Sequence, residues 1–161
     1  MQEEFDTAQI CINGHAINER AATKLDRNQK FCDKCGAETI MACPHCQAAI
    51  RGHHYIHGIV SFSPYTVPPF CCNCGKPFPW TEARLVAARE MIEEIEKLDG
   101  NEKIILSKSL DDLIRETPST PTAIVRFKRL ALKAGSVAAD GLRSILVDVL
   151  SEAVRKQIWP N

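Results

Sequence analysis

The cysteines of this chain fall mainly into pairs with the spacing of metal-binding knuckles. Two thiolates separated by two residues can grip one ion if the chain turns tightly and its backbone N–H groups face the sulfurs. Glycine tolerates the positive φ that such a turn tends to need, and it follows the second cysteine at Gly36 and Gly75. Three pairs have the form C-x2-C, namely Cys32–Cys35, Cys43–Cys46 and Cys71–Cys74.

A fourth, less regular half-site precedes them in the sequence "CINGH", where Asn13 and Gly14 supply the turn. In chain order we name the pairs half-sites 1 to 4: Cys11 and His15, Cys32 and Cys35, Cys43 and Cys46, Cys71 and Cys74. Eight ligands suffice for two tetrahedral zinc ions and leave neither ion the open position of a catalytic zinc. The pattern predicts two structural Zn2+ ions and no catalysis at them.

The spacing alone leaves three ways to combine the half-sites. A nested arrangement joins half-sites 2 and 3 across only seven residues, which is short for two opposed knuckles. A cross-braced arrangement joins 1 with 3 and 2 with 4, as in RING-type domains. The sequential arrangement joins 1 with 2 and 3 with 4, across intervals of sixteen and twenty-four residues that can each hold a short hairpin. We favour the sequential arrangement, in which Cys72 is a free thiol although it could replace its neighbour Cys71.

The elements that must position these ligands change character along the chain. All eight cysteines lie between residues 11 and 74, and the last 87 residues contain none. Pro77 and Pro79 stiffen the junction, and Thr81 can cap a new helix. We therefore expect a metal-stabilised, β-rich double zinc ribbon over residues 1–79 and an all-α domain of three to four helices over 80–161, α+β overall.

The helical half shows amphipathic periods of three to four residues. Residues 81–98 carry an apolar stripe from Leu85 to Ile95, and "DGN" ends that helix. Further helices are predicted from Glu102 to Glu116, from Thr120 onward, and over a last stripe from Leu142 to Ala153. Whether Gly135 separates the last two is open. The stripes predict packing within a small bundle, with homodimerisation as the alternative.

Charge and composition exclude several classes of protein. Twenty basic residues balance twenty acidic ones, which gives no global attraction for nucleic acid. No apolar run approaches the length of a membrane span, and the first ten residues do not resemble a secretory signal. Cysteine-rich chains without such a signal normally keep their thiols reduced, so a cytoplasmic location is expected.

The motifs taken together resemble a family of uncharacterised bacterial zinc-ribbon proteins, classed as a domain of unknown function. The resemblance rests on "ICINGHAIN", "FCDKCGAET", "CPHCQAAIRG" and "FCCNCGKPFPWT" in this order, and extends into "LDDLIRETPSTPTAIVRFKRLALKAG". It implies a double zinc ribbon with a helical region, and it brings no established reaction.

The expected function is that of a non-catalytic adaptor. In this hypothesis the ribbons form a rigid recognition surface, and the helices bind a protein partner or self-associate. A nucleic-acid-binding protein that uses the basic run near Arg126 is the alternative. A RING-like ubiquitin-ligase scaffold is a weaker one, because it requires the cross-braced arrangement. No phosphate-binding loop or nucleophile motif occurs, so the sequence predicts that the protein is not an enzyme.

Overall fold

A computed structural model describes residues 3 to 160, and the chain divides into two compact units, one up to Glu82 and one from Ala83 onward. The first unit contains all the strands, and helices make up most of the second. The expected fold class, a small β-rich part followed by an all-α part, is confirmed.

Two small antiparallel sheets form the frame of the first unit. The strands are β1 (Glu3–Thr7), β2 (Gln9–Cys11), β3 (Ala16–Asn18), β4 (Thr39–Ile40) and β5 (Arg51–Ile56). Strand β1 pairs with β5, and β2 lies between β3 and β4. Such short strands cannot bury much apolar surface, so the sheets mainly fix where the connecting turns lie.

The apolar core of the first unit is small and includes two predicted metal ligands. The rings of Phe78 and Trp80 stack with their centroids 4.6 Å apart, and the Trp80 indole N–H donates to the carbonyl of Pro68 at 3.0 Å. A core of this size needs a further source of stability in a unit of about 80 residues. Its buried members are Ala8, Ile10, Cys43, Ile50, Cys71, Phe78 and Trp80.

Five helices follow, where three to four were expected. Residues 147–151 interrupt the predicted last helix, and the Ser151 side chain caps the short helix after the break by accepting from the Val154 N–H. None of the helices in residues 3–160 is long and apolar enough to cross a bilayer. The helices are α1 (Pro79–Glu93), α2 (Gly100–Arg115), α3 (Thr120–Ala134), α4 (Ser136–Leu146) and α5 (Glu152–Ile158).

Several helix ends differ from the prediction. Thr81 does not cap α1 but lies buried inside it, and its hydroxyl donates to the Pro69 carbonyl at 2.7 Å. Helix α1 ends at Glu93, before the predicted "DGN" stop. Asp99 instead starts α2 through a capping box with Glu102, in which each side chain accepts from the other residue's backbone N–H.

Gly135 separates α3 from α4, which settles the question that the sequence left open. Its φ of 96° lies in the left-handed region and interrupts the helical path. The second unit buries apolar side chains of α1, α2, α3 and α4. Its largest fully buried side chains are Ile92, Leu106, Leu110, Leu113, Phe127, Leu130, Leu142 and Leu146.

Candidate metal centres

The three C-x2-C pairs share one backbone geometry. In half-site 2 the N–H of Cys32 donates to the Ala37 carbonyl, and the Cys32 carbonyl accepts from the Gly36 N–H, both at 2.8 Å. Half-sites 3 and 4 repeat both bonds at 2.8–2.9 Å. An antiparallel bridge such as Phe31–Glu38 brackets each turn. The chain therefore forms three equivalent tight knuckles that hold their two sulfurs on one side.

The residue after the second cysteine is left-handed in every knuckle. Gly36 and Gly75 both have a φ of 73°, and Gln47 occupies the equivalent place in half-site 3 with a φ of 63°. For a residue with a Cβ this conformation costs about 1–2 kcal/mol. The sequence indicated the need for positive φ in two knuckles but not that Gln47 bears it in the third.

Half-site 1 is a turn between strands β2 and β3. The N–H of Cys11 donates to the His15 carbonyl at 3.0 Å, and the Gly14 N–H donates to the Cys11 carbonyl at 2.8 Å. Nδ1 of His15 lies 3.4 Å from the Cys11 sulfur. A Cβ on Gly14 would lie 3.0 Å from the Cβ of Trp80, so the turn packs directly on the core.

The structure gathers the eight predicted ligands into two clusters. The first site combines half-sites 1 and 2, and the second site combines half-sites 3 and 4, with the ligand atoms of each lying within 4.8 Å of one another. This is the sequential arrangement, and it differs from both the nested and the cross-braced one. Within residues 3 to 160, these two clusters are the groups of three or more His, Cys, Asp or Glu side chains that could hold a metal ion. The sites can therefore each hold a metal ion.

The distances within the clusters fit tetrahedral zinc. With bonds of about 2.3 Å to sulfur and 2.0–2.1 Å to nitrogen, such an ion places two sulfurs about 3.8 Å apart and sulfur and nitrogen about 3.5 Å apart. In the first site the Cys11 and Cys35 sulfurs are 3.8 Å apart, and the Cys32 sulfur lies 3.6 Å from Nδ1 of His15. The second site has sulfur–sulfur distances of 3.8 Å for Cys43–Cys74 and 3.7 Å for Cys46–Cys71.

The second site uses Cys71 and leaves Cys72 outside. Cys71 is buried with its sulfur in the cluster, whereas Cys72 is exposed and belongs to neither cluster. The first cysteine of every knuckle is buried, while the second is exposed or half-buried. Each site thus has one side against the protein and one toward solvent.

The electrostatics of the clusters call for a cation. The backbone N–H of Ala37 and the side-chain amide of Asn13 lower the pKa of Cys35 to about 6. By contrast, burial raises the pKa of Cys11 in the same site. Several thiolates this close repel one another, so they cannot all ionise without a positive charge between them. A divalent ion bound between them would supply that charge.

The second site shows the same division. The Asn73 side chain and the Ala48 backbone N–H lower the pKa of Cys46 to about 6. At Cys74 the Lys76 backbone N–H acts to lower the pKa, but desolvation and the neighbouring cysteines outweigh it and raise the pKa to about 11. In this site too, the pKa of one thiol is lowered while the pKa of another is raised.

Two asparagines that the sequence analysis did not assign as site residues reach across the sites. The Asn13 side chain in half-site 1 donates to the Cys35 sulfur of half-site 2 at 3.4 Å. In the second site the Asn73 side chain lowers the pKa of Cys46, and the Asn73 backbone N–H donates to the Cys71 sulfur at 3.4 Å. Both asparagines lie two residues after a cysteine ligand, in "CIN" and "CCN", and this repeated spacing was the available signal. Each lies outside the ligand set and acts on a ligand in the opposite half-site, Asn13 through a hydrogen bond to Cys35 and Asn73 through its effect on the pKa of Cys46.

The fold and the two clusters define a class of protein: a small β-rich unit with two clusters that can each hold a metal ion, followed by a helical unit. The family described as "Uncharacterized protein conserved in bacteria (DUF2321)" matches residues 4–158, and the chain belongs to it. This confirms the resemblance drawn from the motifs. Neither the curated proteins nor the solved structures contain a match to the chain.

Proposed function

We propose that both sites hold structural zinc and that the protein is a non-catalytic adaptor for a protein partner. The proposal is carried by one observation: each site brings four donor atoms within 4.8 Å of one another, and the residues between the two cysteines of every knuckle are exposed. Thiolate and imidazole donors in a tetrahedron suit Zn2+ better than the oxygen-preferring divalent ions.

The complete donor sets favour a structural role for the zinc. A catalytic zinc ion keeps one position for water or substrate, whereas each of these sites supplies four protein ligands. The core of the first unit is small, and Cys43 and Cys71 belong both to that core and to the second site. Zinc binding would therefore contribute directly to the folding of this unit.

The knuckle tips offer a recognition surface. Lys34 and His45 lie between the cysteines of half-sites 2 and 3, and both are exposed. The zinc ions would hold these tips rigidly, which reduces the entropy lost when a partner binds. A reducing compartment, such as the cytoplasm, would keep the thiols available for the metal.

Charge disfavours nucleic acid as the partner of the ribbons. Residues 1–80 contain seven Lys or Arg and seven Asp or Glu. Zinc with three thiolates and a neutral histidine leaves a charge of −1 at the first site, and zinc with four thiolates leaves −2 at the second. The metal-loaded ribbons would repel a phosphate backbone.

Photo-crosslinking in cells tests the adaptor role. A photo-reactive residue is placed at Lys34 or His45, with the exposed Lys108 on helix α2 as the control position. We expect both tips, but not the control, to crosslink to one and the same protein. The crosslink from Lys34 should disappear in the Cys35→Ser variant, which loses the zinc that holds this tip. Equal crosslinking from all three positions, or none, would contradict the proposal.

A further inference from the structure

The helical unit has an apolar groove that the zinc sites do not explain. Its volume is about 570 Å³, and it is bounded by α3, by α4 at Ala139 and by the end of α5. Leu132 on α3 is 84% exposed beside it, which is unusual for a leucine on an amphipathic helix. The groove is lined by Phe127, Lys128, Arg129, Ala131, Leu132, Ala139, Ile158 and Trp159.

Trp159 has the position of an anchor within this surface. Its ring meets Phe127 edge to face at 6.0 Å, and the Arg143 guanidinium lies 5.6 Å from its centroid. The residue is half-buried, so part of the indole is available to a ligand. Partly exposed tryptophans with an arginine beside them are typical of residues that dominate the binding energy of interfaces.

The groove is lined by two cations and by no acidic residue. Lys128 and Arg129 line it, and neither has an ion-pair partner within residues 3–160. Arg143 and Arg155 lie on the other side of Trp159, together with the ion pair of Lys156 and Glu152. Lys128 and Arg129 therefore place uncompensated positive charge beside an apolar floor.

The positive charge is concentrated in the second half of the helical unit. Residues 118–160 contain seven Lys or Arg against three Asp or Glu, a net charge of +4. Residues 83–117 contain six against nine, a net charge of −3. The overall neutrality of the chain conceals this separation. A ligand attracted to the groove must be acidic as well as apolar.

We propose that the groove binds an acidic amphipathic helix of a partner protein, which places apolar side chains beside Leu132 and Trp159 and its carboxylates near Lys128 and Arg129. The inference rests on the adaptor role and names the chemistry of its partner at the helical unit. Apolar anchors in a groove with charged residues at its rim are a common mode of helix recognition.

The shape and charge of the groove disfavour other occupants. A concave site receives protruding side chains, whereas binding to a membrane interface requires an apolar face that itself protrudes. The lining is too apolar for a nucleic-acid backbone. Two copies joined symmetrically through this groove would bring two positive rims together. A helical acidic segment meets both the apolar and the electrostatic requirement.

A fluorescence titration of the zinc-loaded full chain tests the proposal. The probe is a synthetic, fluorescein-labelled helix of about 18 residues, or five turns, with leucines at positions i, i+4 and i+7 and glutamates elsewhere on its surface. A scrambled peptide of the same composition and a peptide with lysine in place of glutamate are the controls. We expect saturable binding of the acidic helix only, with a blue shift of Trp159 emission and a weaker affinity as salt rises.

Matched variants locate the binding to the groove. Leu132→Asp and Arg129→Glu should each weaken the affinity for the acidic peptide by about tenfold or more. Ile104→Asp on α2 places the same substitution at an exposed apolar residue outside the groove, and Arg126→Glu reverses an exposed charge on the same helix as Arg129. Both control variants should bind within about twofold of the parent protein.

Several results would overturn the proposal. Equal binding of the scrambled peptide, equal losses in the control variants, or tighter binding to phosphatidylserine vesicles than to the peptide would each do so. Dimerisation of the free chain that is abolished by Arg129→Glu would identify the groove as a self-interface instead. A failed peptide titration together with crosslinking from Lys34 and His45 would refute only the groove. A failed crosslinking experiment would count against the adaptor role itself.

Discussion

Removing the side-chain amide that reaches across each metal site should weaken zinc binding at that site alone. In Asn13→Ala the Cys35 sulfur loses the hydrogen bond that it receives at 3.4 Å. Asn73→Ala removes the side-chain amide that lowers the pKa of Cys46. Both sites are net negative when loaded with zinc, so an N–H dipole directed at a thiolate stabilises the bound state.

The expected magnitude follows from the loss of one charge-assisted hydrogen bond. Such bonds contribute about 1.5–3 kcal/mol, and partners outside the ligand set typically change metal affinity by about 10–100-fold. A 10–100-fold loss corresponds to about 1.4–2.7 kcal/mol, so the two figures agree. Asn13→Asp keeps the shape but replaces the donor with a carboxylate, and it should weaken the first site more than Asn13→Ala does.

Cobalt substitution reports the two sites separately. The first site has three sulfurs and one nitrogen and the second has four sulfurs, so Co2+ gives a different visible spectrum in each. Competition with a chelator, followed at the two sets of bands, measures the affinity of each site in one sample. The unmodified site serves as the internal control, because both are held on the same chain.

The reasoning would be refuted if Asn13→Ala and Asn73→Ala changed both sites equally, or neither. Equal losses would mean that the asparagines act through the folding of the whole unit. No loss would mean that the amide is replaced by water without cost. A larger loss at the first site for Asn13→Ala than for Asn13→Asp would contradict the electrostatic argument.

Three further predictions concern stability. Gln47→Gly should stabilise the zinc-loaded protein by about 0.5–1 kcal/mol in thermal unfolding, because glycine relieves the left-handed strain at this position by more than the extra conformational entropy that it loses on folding. Gln47→Ala keeps a Cβ and should not stabilise the protein. Trp80→Ala should cost about 3–5 kcal/mol and weaken zinc retention, because metal binding is coupled to folding; unchanged chelator resistance would contradict this. Phe127→Ala should destabilise the helices by about 3–5 kcal/mol in urea while mass spectrometry still finds both metal ions; their loss would show that the two units fold together.

The knuckles could be predicted from the sequence because their geometry is local. A C-x2-C pair with a following glycine fixes a turn whose hydrogen bonds run within about six residues. The sequential grouping followed from intervals long enough for a hairpin. Gln47 could not be anticipated as left-handed, because the strain is accepted only where neighbouring contacts enforce the knuckle.

The errors at the helix ends have a tertiary cause. Thr81 has the residue type of a helix cap, but the Pro69 carbonyl offers its hydroxyl another partner and lets α1 begin at Pro79. The sequence around Asp99 is as consistent with the end of one helix as with the start of the next. The reciprocal bonds with Glu102 show which of the two applies. Residues 147–151 break the last predicted helix without a proline or glycine, and the signal available there was Ser151, a residue type that favours the helix N-cap.

Native mass spectrometry tests the central claim, that two independent four-ligand zinc sites organise the first unit, most directly. The intact chain purified without added metal should carry two zinc ions, one for each cluster. Cys35→Ser and Cys46→Ser should each lose one ion, and the double variant should lose both. A single ion in the intact chain would contradict the account. So would a Cys35→Ser and Cys46→Ser double variant that loses no more zinc than either single one.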